Sequence, residues 1–188
     1  MTNETAVSSM KNTKQLALIG LMAAVICILG PISLAIPISP VPISLGSMAI
    51  YFVISVLGMK RGTLSVIIYV LLGLAGLPVF SGFSGGAGKL FGPTGGYIIG
   101  YLFMAVICGF FIDKYSNKIV VSFLGMLLGT CVCYLFGTLW LSYQASLTFS
   151  AALAAAVLPF IPGDLVKLIF AMAIGLQLRK RLLRANLC

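Results

Sequence analysis

The chain has 188 residues, of which 61% are apolar and 8% are charged, and its net charge is +9. Soluble domains carry roughly 25% charged residues, so the composition excludes an ordinary soluble domain and indicates a membrane protein. The lysines and arginines lie in short clusters at the ends of apolar runs, which is typical of membrane topology and not of nucleic-acid binding.

Apolar runs of about 18–22 residues recur along the chain, and each is long enough to cross a bilayer as a helix. Glycines, prolines and basic residues divide these runs into six predicted transmembrane helices. The helices cover Lys14–Leu29, Ser44–Met59, Gly62–Leu77, Pro93–Ile112, Lys118–Tyr143, and a sixth span that begins near Ser150, is interrupted at Pro159 and Pro162-Gly163, and resumes to Arg179-Lys180-Arg181. The prediction is one all-α integral membrane domain over residues 1–188, a bundle of six helices with a short polar segment at 1–13. No small-x-small cleavage site follows the first apolar run, so we interpret this run as retained.

The basic residues also predict the orientation of the helices. One side holds Lys11, Lys14, Lys60, Arg61, Lys114, Lys118 and the basic residues from Arg179 to Arg184. By the positive-inside rule, this side and both termini face the cytoplasm. The opposite side holds residues 33–43, 78–92 and 142–148, and its only charge is Lys89. Three prolines between residues 37 and 42 predict extended backbone there instead of helix.

The glycine-rich stretch from Gly82 to Tyr97 does not fit a nucleotide loop. A P-loop requires Ser or Thr after its lysine, whereas Leu90 follows Lys89, and the sixth position of a G-x-G-x-x-G pattern would be Phe91. Residues 92–94, Gly-Pro-Thr, predict a helix start, whose unpaired N–H groups suit a carboxylate or another polar ligand atom. A glycine-rich turn that only permits close packing is an equally good interpretation.

Two charges lie within the sixth span, at Asp164 and Lys167. Their i, i+3 spacing places them on one helical face. Ionisable groups at membrane depth are expensive and usually mark function. The alternative is an acid that stabilises the first turn of the restarted helix and is neutralised by its neighbour. We favour function because Lys89 and the glycine-rich stretch lie on the same outer side.

Small residues recur along the first helix at Ala17, Gly20, Ala24 and Cys27. Such a stripe lets helices approach closely in lipid. It indicates either a docking face for a partner membrane protein or packing against the chain's own helices. The five cysteines have no metal or redox spacing, and the chain has no histidine, the commonest acid–base group and metal ligand. We therefore predict no metal site and no catalytic residues.

Two separated motifs carry a family resemblance: residues 85–97, GGAGKLFGPTGGY, and residues 159–167, PFIPGDLVK. With them the sequence resembles the BioY family of biotin transporters, the substrate-binding (S) components of energy-coupling factor (ECF) transporters. The resemblance covers nearly the whole chain. It implies six transmembrane helices in a bacterial cytoplasmic membrane, an outward-facing vitamin pocket, and association with a transmembrane coupling (T) subunit and two ATPases. It also implies a stripe of alanines on the first helix that docks the partner. In this chain the docking residues would be Ala17, Gly20 and Ala24, and Gly20 and Cys27 lie where alanine would be more usual.

If biotin is the ligand, its chemistry suggests roles for the charged residues. Asp164 would accept the ureido N–H groups, Lys167 would donate to the ureido carbonyl or keep Asp164 ionised, and Lys89 with the start of the fourth helix would bind the valerate carboxylate. The opposite polarity, with the carboxylate at Lys167, is also open. The predicted substrate-binding residues are Asp164, Lys167, Lys89, Tyr97, Gly92, Thr94, Gly88, Phe91 and Tyr143.

Two other functions compete with biotin capture. The first is an S component for a different small vitamin, which would share the fold and differ in the pocket. The second is a membrane-embedded hydrolase that uses Ser81 or Ser84 with Lys89 as the base, for which the lysine would need a depressed pKa and hydrogen-bond reach to its serine. A passive pore is disfavoured because so few charges are available to line it. The chain has no nucleotide motif, so any ATP-driven step belongs to a partner.

Overall fold

Helices form most of the chain. The computed structural model describes residues 2–34, 39, 41–115 and 118–185, with side chains from residue 13 onward. Within these ranges, the elements are helices α1 (Thr2–Leu29), α2 (Gly46–Leu74), α3 (Ala87–Leu90), α4 (Gly95–Tyr115), α5 (Ile119–Gln144), α6 (Phe149–Ala156) and α7 (Ile161–Arg184), and strands β1 (Ser33–Leu34) and β2 (Ile43–Ser44). In the described part of the chain, α2, α4, α5 and α7 are long and apolar enough to cross a membrane, and α1 contributes the shorter apolar stretch Thr13–Leu29. The predicted all-helical membrane class is confirmed.

Helix α1 begins at Thr2, well before the predicted start at Lys14. Residues 2–13 contain neither glycine nor proline, so nothing in this polar segment interrupts helical backbone. Farther along, Ile19, Met22 and Ile26 are buried and recur at helical spacing. This face packs on α2, which leaves the opposite face of α1 uncovered.

Helix α2 contains a chain reversal at Gly58, where φ is 75° and ψ is −163°. A Cβ placed on Gly62 would lie 3.2 Å from the Cα of Ile54, although eight residues of straight helix would separate them by about 12 Å. The two arms of α2, residues 46–57 and 59–74, therefore lie side by side. They correspond to the second and third predicted helices, but the turn lies at Gly58 and not at Lys60-Arg61.

Short segments join the helices at the end of the bundle that we call the outer end, near Gly30 and Ser44. Strands β1 and β2 pair antiparallel there, and the Ser44 hydroxyl donates to the Gly30 carbonyl over 3.0 Å. The described ends of the proline-rich segment are extended, as predicted, and residues 35–38 and 40 lie outside the described residues. The opposite end, near Gly58, is called the inner end.

Helices α4 and α5 pack closely through glycines. A Cβ on Gly100 would lie 3.0 Å from the Cα of Cys133, so a larger residue would separate the two backbones. Helix α4 begins at Gly95 and not at Pro93, because the preceding residues form the four-residue helix α3 and a turn in which the Gly95 N–H donates to the Gly92 carbonyl.

The predicted interruption of the last span is confirmed at Pro159, whereas Pro162 and Gly163 belong to the first turn of α7 and do not interrupt it. Helix α6 ends at Ala156, and α7 begins at Ile161 with a proline in its first turn, where the missing proline N–H costs nothing. Asp164 lies in the first turn of α7, whereas the N-cap position belongs to Phe160. The break directs the first turn of α7 towards the outer part of α2.

Candidate functional site

A cavity lies at the outer end, between the arms of α2, α4, α5 and the start of α7. Every one of these elements contributes polar or aromatic side chains to its wall. The lining residues are Val41, Pro42, Ser44, Ser47, Tyr51, Tyr69, Phe80, Ser81, Thr94, Tyr97, Ile98, Tyr101, Met104, Thr130, Cys133, Tyr134, Ala156, Phe160, Asp164 and Lys167. A mostly apolar and aromatic wall with a few convergent polar groups is the usual form of a small-molecule site.

Asp164 and Lys167 form an ion pair in this wall, with 2.9 Å between Oδ1 and Nζ. Their side chains are only 13% and 11% exposed. Lys167 Nζ also donates to the backbone carbonyl of Ser44 over 2.8 Å, and the Tyr134 hydroxyl donates to Asp164 Oδ2 over 2.6 Å. The Ser47 hydroxyl lies 3.5 Å from both charged groups. Three helices thus hold one buried carboxylate in a fixed position.

A buried ion pair is weak evidence for stability, because desolvation of both charges offsets much of their attraction. Here the carboxylate retains lone pairs, and one N–H of the ammonium makes only the long 3.5 Å contact with the Ser47 hydroxyl. The pair can therefore receive N–H donors and a carbonyl acceptor from a ligand. Such an arrangement suits a neutral polar group that carries both functions.

Thr94 contributes a hydroxyl that no described residue satisfies. Its side chain lines the cavity, the residue is 8% exposed, and Oγ1 is buried without a hydrogen-bond partner. The neighbouring Tyr97 hydroxyl, by contrast, donates to the Ala156 carbonyl over 2.9 Å. A buried hydroxyl without a partner costs free energy, so Thr94 favours a bound ligand atom or water at this position.

Aromatic rings form much of the remaining wall. The rings of Tyr69 and Phe80 meet edge to face, with centroids 5.5 Å apart, and the Tyr51 hydroxyl is paired with Thr130 Oγ1 at 2.8 Å. The Tyr51 hydroxyl is already paired, so these rings offer mainly apolar surface to a ligand.

Four of the nine predicted substrate-binding residues line the cavity: Thr94, Tyr97, Asp164 and Lys167. The other five lie outside the lining. Gly88 and Lys89 belong to α3, Gly92 uses its carbonyl to accept a hydrogen bond from Trp140 Nε1, Phe91 is 65% exposed, and Tyr143 is 83% exposed.

Lys89 is half-buried and forms no ion pair within the described part of the chain. Partial burial lowers its pKa, because desolvation disfavours the charged form. The α3 segment that carries Lys89 is flanked in sequence by two lining residues, Ser81 and Thr94.

Ser84 Oγ donates to the Ser81 carbonyl, and no described hydrogen bond joins Lys89 to either serine.

Sequence reasoning missed three residues of the polar network: Ser44, Ser47 and Tyr134. Tyr134 lies in the middle of an apolar run, where a tyrosine is normally interpreted as a packing residue. The available signal was its hydroxyl, since a polar group inside a span needs a partner at the same depth. The number of tyrosines inside the spans could have indicated that they line one site.

The stripe at Ala17, Gly20 and Ala24 lies on the face of α1 that the chain's own helices leave open. All three residues are exposed, and a Cβ on Gly20 would meet nothing within 4 Å. These three residues therefore do not pack against the part of the chain that the structure describes, whereas Cys27, the fourth small residue of the series, packs against the core. In the described residues no group of His, Cys, Asp and Glu side chains could hold a metal ion.

Comparisons with known proteins identify the family of this chain. The BioY family model matches residues 1–184. The biotin transporter BioY2 of Lactococcus lactis subsp. cremoris is 36% identical over 179 residues, which are 94% of this chain and 97% of that protein. The probable biotin transporter BioY of Pyrococcus horikoshii is 40% identical over 169 residues, which are 88% of this chain and 96% of that protein. A crystal structure of the S-component for biotin from an ECF-type ABC transporter is similar, with a TM-score of 0.83 and 37% identity over 96% of this chain and 95% of that chain.

Proposed function

The chain belongs to the BioY family, and from that premise we propose that it binds biotin and supports biotin uptake as the S component of an ECF transporter. It is a multi-pass membrane transporter component and not an enzyme. The observation that carries the proposal is the buried Asp164–Lys167 pair in the wall of an aromatic cavity.

Biotin has two ureido N–H donors beside one carbonyl, an apolar thiophane ring, and a valerate tail that ends in a carboxylate. We propose that Asp164 accepts the ureido N–H groups and that Lys167 donates to the ureido carbonyl. The adjacent positions of the two charged groups match the adjacent donors and acceptor of the ureido ring. Thr94 adds a polar contact, and Tyr97 packs with the other aromatic rings against the thiophane ring and tail.

We propose that the valerate carboxylate points towards Lys89, with Gly88, Phe91, Gly92 and Tyr143 at the mouth. Lys89 supports this role because it has no described ion-pair partner and its segment is flanked by lining residues. A carboxylate ligand would also raise the lowered pKa of the lysine by favouring its charged form. The opposite polarity would place the carboxylate against Lys167, where Asp164 already neutralises the ammonium.

We propose six spans, namely α1, the two arms of α2, α4, α5 and α7, with both termini in the cytoplasm. The reversal at Gly58 supports this count, since it divides α2 into two antiparallel arms. Green fluorescent protein fused to the C-terminus fluoresces only when it folds in the cytoplasm. We expect a fluorescent fusion, and a dark but intact fusion would contradict the topology.

The function is tested by isothermal titration of the purified protein, alone in detergent, with biotin, thiamine and riboflavin. We expect tight binding of biotin near one ligand per chain and no binding of the other two vitamins. Binding of thiamine or riboflavin instead would retain the S-component architecture and change the substrate. Folded protein that binds none of the three would contradict vitamin capture.

We further propose that the partners are a transmembrane T subunit and two ATPase subunits, and that the stripe at Ala17, Gly20 and Ala24 docks the T subunit. The open face of α1 supports this role, because small exposed side chains allow a partner helix to approach closely. The nucleotide chemistry then resides in the ATPases.

Docking is tested by replacing Ala24 with tryptophan and purifying the chain together with a co-expressed T subunit. We expect Ala24→Trp to lose the T subunit and to keep biotin binding. Ala173, an exposed alanine on α7, provides the matched control, and Ala173→Trp should retain the partner. Loss of biotin binding in Ala24→Trp would indicate internal packing instead of docking.

A further inference from the structure

A second cavity lies at the inner end, remote from the Asp164–Lys167 pair. It opens where the Gly58 reversal meets the last turn of α4 and the last third of α7. Its lining consists of Val56, Leu57, Lys60, Arg61, Asp113, Arg179 and Leu183. Three cations, one acid and an apolar border therefore share one concave surface.

Asp113 does not neutralise all of this charge. Its Oδ1 accepts from Arg179 Nη2 over 2.6 Å, and its Oδ2 accepts from the backbone N–H of Met59 over 2.9 Å. Both carboxylate oxygens are thus occupied by Arg179 and by the turn that follows Gly58. A Cβ on Gly58 would overlap the Asp113 carboxylate, so the glycine permits this contact.

Arg179 retains donors that have no acceptor. Its side chain is 16% exposed, and Nε and Nη1 are buried without a hydrogen-bond partner among the described residues. Buried guanidinium donors without an acceptor are costly, which favours an anion next to them. Arginine is also the side chain best suited to phosphate recognition.

Lys60 and Arg61 add two further cations at the mouth of this cavity. Neither forms an ion pair in the part of the chain that the structure describes, so the cavity carries an excess of two positive charges over Asp113. Leu183 is 50% exposed at its border. Cations beside an exposed apolar side chain match a ligand that joins a phosphate to hydrocarbon, as in an anionic phospholipid.

We infer that this inner-end cavity is a binding site for a phosphate group, held by Lys60, Arg61 and Arg179, and that the phosphate is the headgroup of an anionic phospholipid. The lipid would bind where α2, α4 and α7 meet and would fix the Gly58 turn against α7. This inference does not depend on which vitamin the outer cavity binds.

The test is native mass spectrometry of the full-length protein in micelles doped with phosphatidylglycerol or, separately, with phosphatidylcholine. We expect one retained phosphatidylglycerol per chain, and we expect the double variant Lys60→Gln/Arg61→Gln to weaken its binding by about tenfold or more. The matched control is Lys180→Gln/Arg181→Gln, which removes two neighbouring exposed cations that do not line the cavity. The control should bind phosphatidylglycerol as the wild type does.

Three results would overturn part or all of the inference. Equal retention of phosphatidylcholine and phosphatidylglycerol would exclude a site for anionic headgroups. Equal losses in the two double variants would show diffuse surface attraction and no defined site. In a parallel titration, saturable binding of inorganic phosphate that requires Lys60 and Arg61, without retention of phosphatidylglycerol, would keep the phosphate site and replace the lipid by a soluble source. Unchanged thermal unfolding of both double variants in phosphatidylcholine micelles controls for folding.

Discussion

Two acid–base pairs lie at opposite ends of the same helical bundle, and their surroundings differ. The outer pair, Asp164 and Lys167, belongs to one helical turn, and both side chains are nearly buried. The inner pair, Asp113 and Arg179, joins two helices, and Asp113 is 41% exposed. The outer acid receives a tyrosine hydroxyl and borders a cavity with an aromatic wall, whereas the inner acid receives a backbone N–H from the α2 turn.

This difference shows that two ion pairs inside one membrane protein can have different roles. The outer pair does not need to join helices through its own salt bridge, because its members are one turn apart, and its remaining hydrogen-bonding capacity faces a cavity. In the inner pair, the salt bridge itself joins α4 to α7, and the acid also accepts the backbone N–H of Met59 in the α2 turn, so its role is structural. Substitutions should therefore affect ligand affinity at the outer end and stability at the inner end.

The largest expected effect is that of Gly58→Ala, which disrupts the chain reversal at the inner end. A residue other than glycine at φ 75° costs about 1–2 kcal/mol, and its Cβ would also overlap Asp113. We expect a loss of at least about 2 kcal/mol in the free energy of unfolding. Thermal unfolding of the purified protein in one detergent provides the measurement.

Gly20→Ala is the matched control, because that position has ordinary helical backbone and open space around a Cβ. It should unfold at or above the wild-type temperature. If Gly58→Ala is as stable as Gly20→Ala, position 58 tolerates a side chain. That result would contradict the positive φ of the reversal at this position. Biotin affinity of the folded Gly58→Ala protein should stay close to wild type.

The next effect compares the two acids directly. We expect Asp164→Asn to weaken biotin binding at least tenfold, which corresponds to roughly 1.4 kcal/mol for a lost charge-assisted hydrogen bond. The same change at the inner end, Asp113→Asn, should leave biotin affinity within about twofold and reduce stability by about 1 kcal/mol, since that pair is partly exposed. Calorimetric titration with biotin and thermal unfolding measure the two quantities.

Wild-type biotin affinity in Asp164→Asn would remove that carboxylate from the binding site. Equal losses of affinity in the two variants would mean that both pairs act through the fold, and the contrast between the two ends would not hold.

Much of the fold was predictable because apolar runs, prolines and basic clusters mark membrane helices directly. Asp164 and Lys167 were recognisable for a related reason, since charges within an apolar run are conspicuous. The sequence predicts the turn between the second and third helices at Lys60-Arg61, whereas in the structure this turn lies at Gly58. Charges indicate which side of the membrane a turn faces, whereas the turn itself lies where glycine permits a positive φ.

The remaining part of the site was not predictable because it depends on how helices are rotated. Phe91 and Tyr143 have suitable side chains but are mostly exposed, whereas Tyr134, which was not predicted, lines the cavity. When a membrane span is apolar on all sides, its sequence has no periodic pattern that indicates which face of the helix points inward. Ser44 and Ser47 are also far in sequence from Lys167, so their contact appears only in the folded chain.

The smallest predicted effect concerns Lys89, a cation that belongs to neither pair. It tests whether Lys89 or Lys167 binds the valerate carboxylate at the outer end. If Lys89 binds the valerate carboxylate, Lys89→Ala should weaken biotin binding by about fivefold, the loss expected for one partly exposed charge pair. It should affect biotin amide much less, because the amide has no charge for the lysine to bind. Titration of both ligands into both proteins isolates this coupling, since any general damage to the pocket lowers both affinities together. Equal losses for biotin and its amide would contradict the assignment and favour the opposite polarity, in which the carboxylate lies against Lys167 and the ureido ring is nearer the mouth.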